Sequence, residues 1–141
     1  MEITNNSIQN VGVGANVLFT ETPVKPSRCM SHREGSGLVT LRGMTSGCQS
    51  SARFFVDFSA NIAVPTGQTP GAITLAIAIS GEAVQTSSMT VTPGAVEGYF
   101  NVSAPIYISV PSGCCMTISV KNTSTIPVNV RNANLIVARV A

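Results

Sequence analysis

His32 is the single histidine of this 141-residue chain, and any search for acid–base or metal chemistry starts there. It stands beside Arg33 and Glu34 in the run CMSHREGSG, the densest charged cluster of the sequence. A Ser-His-Asp relay would need His32 next to a nucleophile and next to Asp57, the only aspartate. The imidazole would take the serine proton while the carboxylate fixed its tautomer, but no Gly-x-Ser-x-Gly turn is present to expose such a serine. Paired-carboxylate chemistry would draw on Glu2, Glu21, Glu34, Asp57, Glu82 and Glu97, which are isolated and fall mostly in turns or at the termini. Cys29 and His32 stand three apart, a spacing zinc ligands use, and Cys48 or Cys114 would have to complete the site. The second half of a zinc motif is missing. The expectation is therefore no catalytic residue, no metal and no cofactor, with His32, Arg33 and Glu34 as candidate binding residues. Gly35-Ser36-Gly37 would turn them into a recognition loop, and the competing reading is a solvated hairpin tip that keeps a sheet edge from aggregating.

Other chemistries are excluded more simply. No phosphate-cradling Gly-x-x-x-x-Gly-Lys-Ser/Thr loop and no dinucleotide fingerprint occurs. A net charge of +2, from eight scattered basic residues, is too weak for the clustered footprint of a nucleic-acid binder. The longest apolar run, Ala72 to Ile79, is well short of the roughly 18 residues of a membrane helix, so no membrane insertion is expected. The opening MEITNNSIQN has neither a basic region nor an apolar stretch and does not read as a secretory signal, so a first appearance in a cytoplasm is expected. On that ground the Asn-x-Ser triplets at Asn5, Asn101 and Asn122 are discounted as glycosylation sites. Cys29, Cys48, Cys114 and Cys115 allow three full pairings. The adjacent Cys114-Cys115 would point to opposite faces of a strand, so free thiols or one Cys29–Cys48 bridge are expected, with reduced cysteine acting as a small buried hydrophobe.

What must position these groups is read from a hydrophobic period of two. Phe54, Val56, Phe58, Ala60, Ile62 and Val64 alternate with Arg53, Phe55, Asp57, Ser59 and Asn61. Ile73, Leu75, Ile77 and Ile79 alternate with Thr74, Ala76 and Ala78, a small-residue face. Phe100 to Val110 is a third alternating run, with Pro105 on its outward set and a bend or bulge expected there, and Met116, Ile118 and Val120 mark a fourth. Pro and Gly signals such as Pro65-Thr66-Gly67 and Pro111-Ser112-Gly113 punctuate these runs. The fold class is all-β: an antiparallel β-sandwich of jelly-roll topology with about eight strands. Residues 16–141 form that domain, and residues 1–15, with Gly12 and Gly14, read as an N-terminal arm. Phe54, Phe58, Leu75, Ile77, Phe100 and Ile108 are expected in the core.

The stretches RFFVDFSANIAVPTG, AITLAIAISGEAV, YFNVSAPIYISVPSG and MTISVKNTS resemble, in strand order and turn placement, trimeric jelly-roll domains of the tumour-necrosis-factor-like and complement-like type, in their bacterial and phage branch. The resemblance implies a homotrimer and a role in capsid decoration or a fibre head. Only 10% of residues are charged, against roughly 25% in ordinary soluble domains, which also suits packing against neighbours. The expected function is a non-enzymatic structural protein of a phage virion, assembled in the host cytoplasm, with capsid or tail proteins as partners. The alternative is a receptor- or glycan-binding module on a cell or spore surface.

Overall fold

In the computed structural model, which describes residues 1–141, the longest alternating run becomes the longest strand. The chain makes β1 (Glu2–Asn5), β2 (Gln9–Val11), β3 (Glu21–Val24), β4 (Met30–His32), β5 (Val39–Arg42), β6 (Ser51–Ala63), β7 (Ile73–Ile79), β8 (Glu82–Ala83), β9 (Met89–Val91), β10 (Phe100–Pro111), β11 (Cys115–Asn122) and β12 (Val128–Arg139), with a single 3-10 turn at Gln85–Ser87. One sheet runs β10-β6-β12-β1-β3, with β2 also on β12; the other runs β4-β5-β11-β7-β8, with β9 on β7. Every pairing is antiparallel. From β5 to β6 to β7, and again from β9 through β12, the chain crosses from sheet to sheet at each step. That crossing makes the sandwich a jelly roll.

The core lies between the sheets. β6 supplies Ala52, Phe54, Val56, Phe58, Ala60 and Ile62, and the opposing sheet supplies Leu41, Leu75, Ile77, Ile118 and Val120, all buried. Each large side chain contributes about 1.5–3 kcal/mol of transfer free energy. Phe19 meets Phe58 edge to face with ring centroids 6.3 Å apart. Polar groups drawn inside are paired: buried Asn122 donates from Nδ2 to the carbonyls of Val11 and Ile126, both at 3.0 Å, and its Oδ1 accepts the Ser124 N–H at 2.8 Å.

Several expectations are corrected. Residues 1–15 are not a free arm, because Ile3 and Val11 fill the core while β1 and β2 pair with β12. Phe100 is 48% exposed; as the first residue of edge strand β10 it has a neighbouring strand on one side only. Pro105 causes no bulge: it faces Asp57 in unbroken register, since one side of an edge strand needs no N–H donor. The register shift lies in β12, between Arg131 and Asn134, where Asn132 takes φ 55°. Ala76 and Ala78, the small-residue face of β7, are fully buried, in keeping with small residues that let another surface approach closely.

The connections gather at two ends. At one, Arg42 N–H donates to Cys29, Gly43 N–H to Cys114, Ser112 N–H to Ser50 and Val140 N–H to Arg53. Gly43 is obligatory in this packing, for a Cβ there would overlap the Pro111 carbonyl. All four cysteines lie toward this end and all are free. Cys29 is buried as a small hydrophobe, but Cys48, Cys114 and Cys115 are exposed, contrary to the buried reading.

Candidate functional site

The outward face of the β10-β6-β12-β1 sheet carries the three longest strands of the molecule, and its residues are set by the same alternation that builds the core. Rows run across the strands by register. Tyr107, Phe55 and Ala138 form one row; Pro105, Asp57, Ile136 and Glu2 the next; then Ser103, Ser59, Asn134 and Thr4. In the first row Phe55 and Tyr107 lie with ring centroids 5.4 Å apart at 57°, yet Tyr107 is 72% exposed and Ile136 39% exposed. Toward the other end of the face the side chains are amides in line. Asn101 Nδ2 donates to Asn61 Oδ1 at 3.2 Å, and Asn61 Nδ2 donates to Asn132 Oδ1 at 3.1 Å.

Charge sits mainly at the margins of this face. Glu2 accepts from Asn134 at 2.7 Å, and Glu97 accepts from Asn129 at 3.0 Å and from the Tyr99 hydroxyl at 3.5 Å. Burial, and then the Glu97 carboxylate, hold the Tyr99 phenol above its ordinary range, with Arg131 pulling the other way. Asp57, between Pro105 and Ile136, is the exception: a half-buried carboxylate whose side chain makes no hydrogen bond in the chain. Aromatic and aliphatic groups at the centre with charges at the rim are the composition of an interface more than of a wetted surface.

The structure splits the three residues singled out by sequence. His32 turns inward: Nε2 lies 2.9 Å from the Ser36 carbonyl, the ring meets Phe19 edge-on at 6.3 Å, and Nδ1 is buried without a partner. Arg33 and Glu34 are exposed at the tip of the β4–β5 hairpin. Cys29 Sγ lies 3.2 Å from Ser27 Oγ, and no three of the His, Cys, Asp and Glu side chains gather as metal ligands would. Two of the three Asn-x-Ser asparagines, Asn5 and Asn122, are buried and hold backbone turns. The sequence carries a signal for the outer face: Phe55 and Tyr107 both stand on the outward set of alternating strands, where an aromatic has no core to fill.

Compared with known proteins, the chain matches no family model and no curated protein. Among solved structures it superposes on the globular domain of zebrafish complement 1qA protein with a TM-score of 0.69 at 12% identity, over 99% of this chain and 95% of that one. The C-terminal domain of EclA, a sugar-binding protein, gives 0.42 at 11% identity over 98% and 77%. A family 35 carbohydrate binding module from Clostridium thermocellum gives 0.36 at 16% identity over 92% and 98%. The first of these establishes the complement-like jelly-roll fold.

Proposed function

We propose that this chain is a non-enzymatic binding module whose copies associate through the outer face of the β10-β6-β12-β1 sheet, with a homotrimer as the favoured assembly. The observation that carries the reading is the exposed Tyr107 packed at a tilt against Phe55 and continued by Pro105 and Ile136, an aromatic and aliphatic centre on an outward-facing sheet. Size supports it. β10, β6 and β12 each run about twelve residues, a length of about 40 Å across a width of about 14 Å, and four-residue β1 adds a short fourth row. The resulting ~640 Å² lies below, but within reach of, the roughly 800 Å² per partner of a standard interface. Asp57, unpaired within the chain, would find its partner across that interface.

The setting we favour is a cell or spore surface with a receptor or glycan as partner. The phage-virion setting, with capsid or tail proteins as partners, is the second reading, and in it docking would use a surface other than residues 1–15, whose strands β1 and β2 pair with β12. Arg33 and Glu34, free at the hairpin tip, are the contacts we assign to a partner at that end, with His32 supporting the hairpin from within.

Light scattering on a size-exclusion column, with reductant present because three thiols are exposed, tests the assembly. The native protein is expected at three times the chain mass, and Tyr107→Glu at the mass of one chain with an unchanged circular dichroism spectrum. A native protein at the mass of one chain, or an assembly untouched by both Tyr107→Glu and Asn61→Arg, overturns the reading.

A further inference from the structure

The end of the sandwich where all four cysteines gather also holds a cleft that the assembly does not use. Its volume is about 280 Å³, and Ser27, Arg28, Cys29, Met44 and Arg139 line it. We propose that this cleft binds an oxyanion-bearing ligand no larger than one sugar ring, gripped by Arg28 and Arg139. The inference deepens the binding-module half of the proposed function and is independent of the assembly half.

Three observations carry it. First, Arg139 is already oriented: Nε donates to the Ala141 carbonyl at 3.1 Å, and one Nη donates to the Met44 carbonyl. A guanidinium has five N–H donors, so three remain without a partner in the chain. Arg28 is exposed and makes no side-chain hydrogen bond, which leaves its whole planar fork free to meet an oxyanion with two parallel bonds. Second, no carboxylate side chain lines the cleft, and the side-chain hydrogen bonds that Lys and Arg make all go to backbone carbonyls. Five of the eight cations lie on elements at this end: Lys25 after β3, Arg28, Arg42 at the close of β5, Arg53 near the start of β6, and Arg139. Cations therefore outnumber carboxylates at this end, where Glu2 lies beside Val24, and such an excess raises the local concentration of anions. Third, the rest of the lining is mixed, with polar Ser27 and apolar Met44 both contributing to it. That pairing suits the hydroxyl and C–H surface of a sugar, and the volume sits at the lower limit of roughly 300 Å³ for small-molecule sites.

A carboxylate on a sugar and a free inorganic anion share this chemistry, so the probes separate them: sodium glucuronate, inorganic phosphate, and neutral glucose as control. Each is titrated at low salt into the reduced, full-length protein, followed by amide NMR shifts, with native mass measured on the same sample. Glucuronate and phosphate are expected to give saturable shifts at residues 27–29, 44 and 139, and glucose none. Tighter binding of glucuronate assigns the site to an acidic sugar; tighter binding of phosphate assigns it to the oxyanion alone. Arg28→Gln, which loses no bond within the chain, is expected to weaken binding by about tenfold or more, the scale of one charge-assisted contact. Lys121→Gln is expected to leave it unchanged. No saturable shift with either anion, or binding equally strong in Arg28→Gln, overturns the proposal. Because native mass is read separately, a single-chain protein that still binds through Arg28 would remove the assembly reading and keep this one.

Discussion

Replacing Asn122 tests the reasoning at the point where the sheets are tied together. Its fully buried side chain closes three hydrogen bonds, to the carbonyls of Val11 and Ile126 and from the N–H of Ser124. At a net ~1 kcal/mol per bond, plus part of the ~1–3 kcal/mol desolvation cost of each buried group left unpaired, Asn122→Ala is expected to cost about 3–5 kcal/mol. A domain has only about 5–15 kcal/mol to lose, so the change is large. Urea unfolding at one fixed protein concentration measures it, since an assembling protein gains stability with concentration. Asn122→Asp separates hydrogen bonding from packing. An ionised carboxylate would point one oxygen at two carbonyls in a buried site, so burial and those dipoles raise its pKa above the unfolded value of about 3.9. A raised pKa means that the folded state favours the protonated form. The Asn122→Asp variant should therefore be nearest to native stability below about pH 4 and lose stability as pH rises through its folded-state pKa. A loss below about 1 kcal/mol in Asn122→Ala, or a pH profile of Asn122→Asp parallel to that of the native protein, would refute the account.

Three further outcomes follow from packing. Phe58→Ala is expected to cost about 3–5 kcal/mol, because the ring is fully buried against Phe19. Phe100→Ala, at a ring 48% exposed, is expected to cost about 1 kcal/mol or less, and thermal or urea unfolding of the pair reads the contrast. Gly43→Ala places a methyl against the Pro111 carbonyl, so a loss of about 1–3 kcal/mol is expected in the same assay. Weaker anion binding should accompany it, as Met44 and its bond from Arg139 shift.

Much of the fold was legible in the sequence wherever local period and burial agree. In β6 the alternation from Ala52 to Ile62 named both the core face and the face that carries Phe55 and Asp57. The same holds for the inward Ile108 and outward Tyr107 of β10. A two-residue period is a property of the strand itself, so it survives in the sequence without knowledge of any partner. Where it misled, an edge was involved. Phe100 continues the apolar set of β10 but lies at the start of an edge strand, and burial depends on what lies opposite.

Tertiary structure alone decided the rest. β1 and β2 are too short to show a period, and they are strands because β12, more than a hundred residues away, offers them a ladder. Arg28 and Arg139 stand at opposite ends of the chain and line one cleft only because β4 and β12 both reach the same end of the sandwich. His32, the most conspicuous residue for chemistry in the sequence, is turned inward by the close approach of Phe19 and Ser36. Local spacing determines which way a side chain faces along its strand; which residues meet is set by topology and register, which bring together groups the sequence keeps apart.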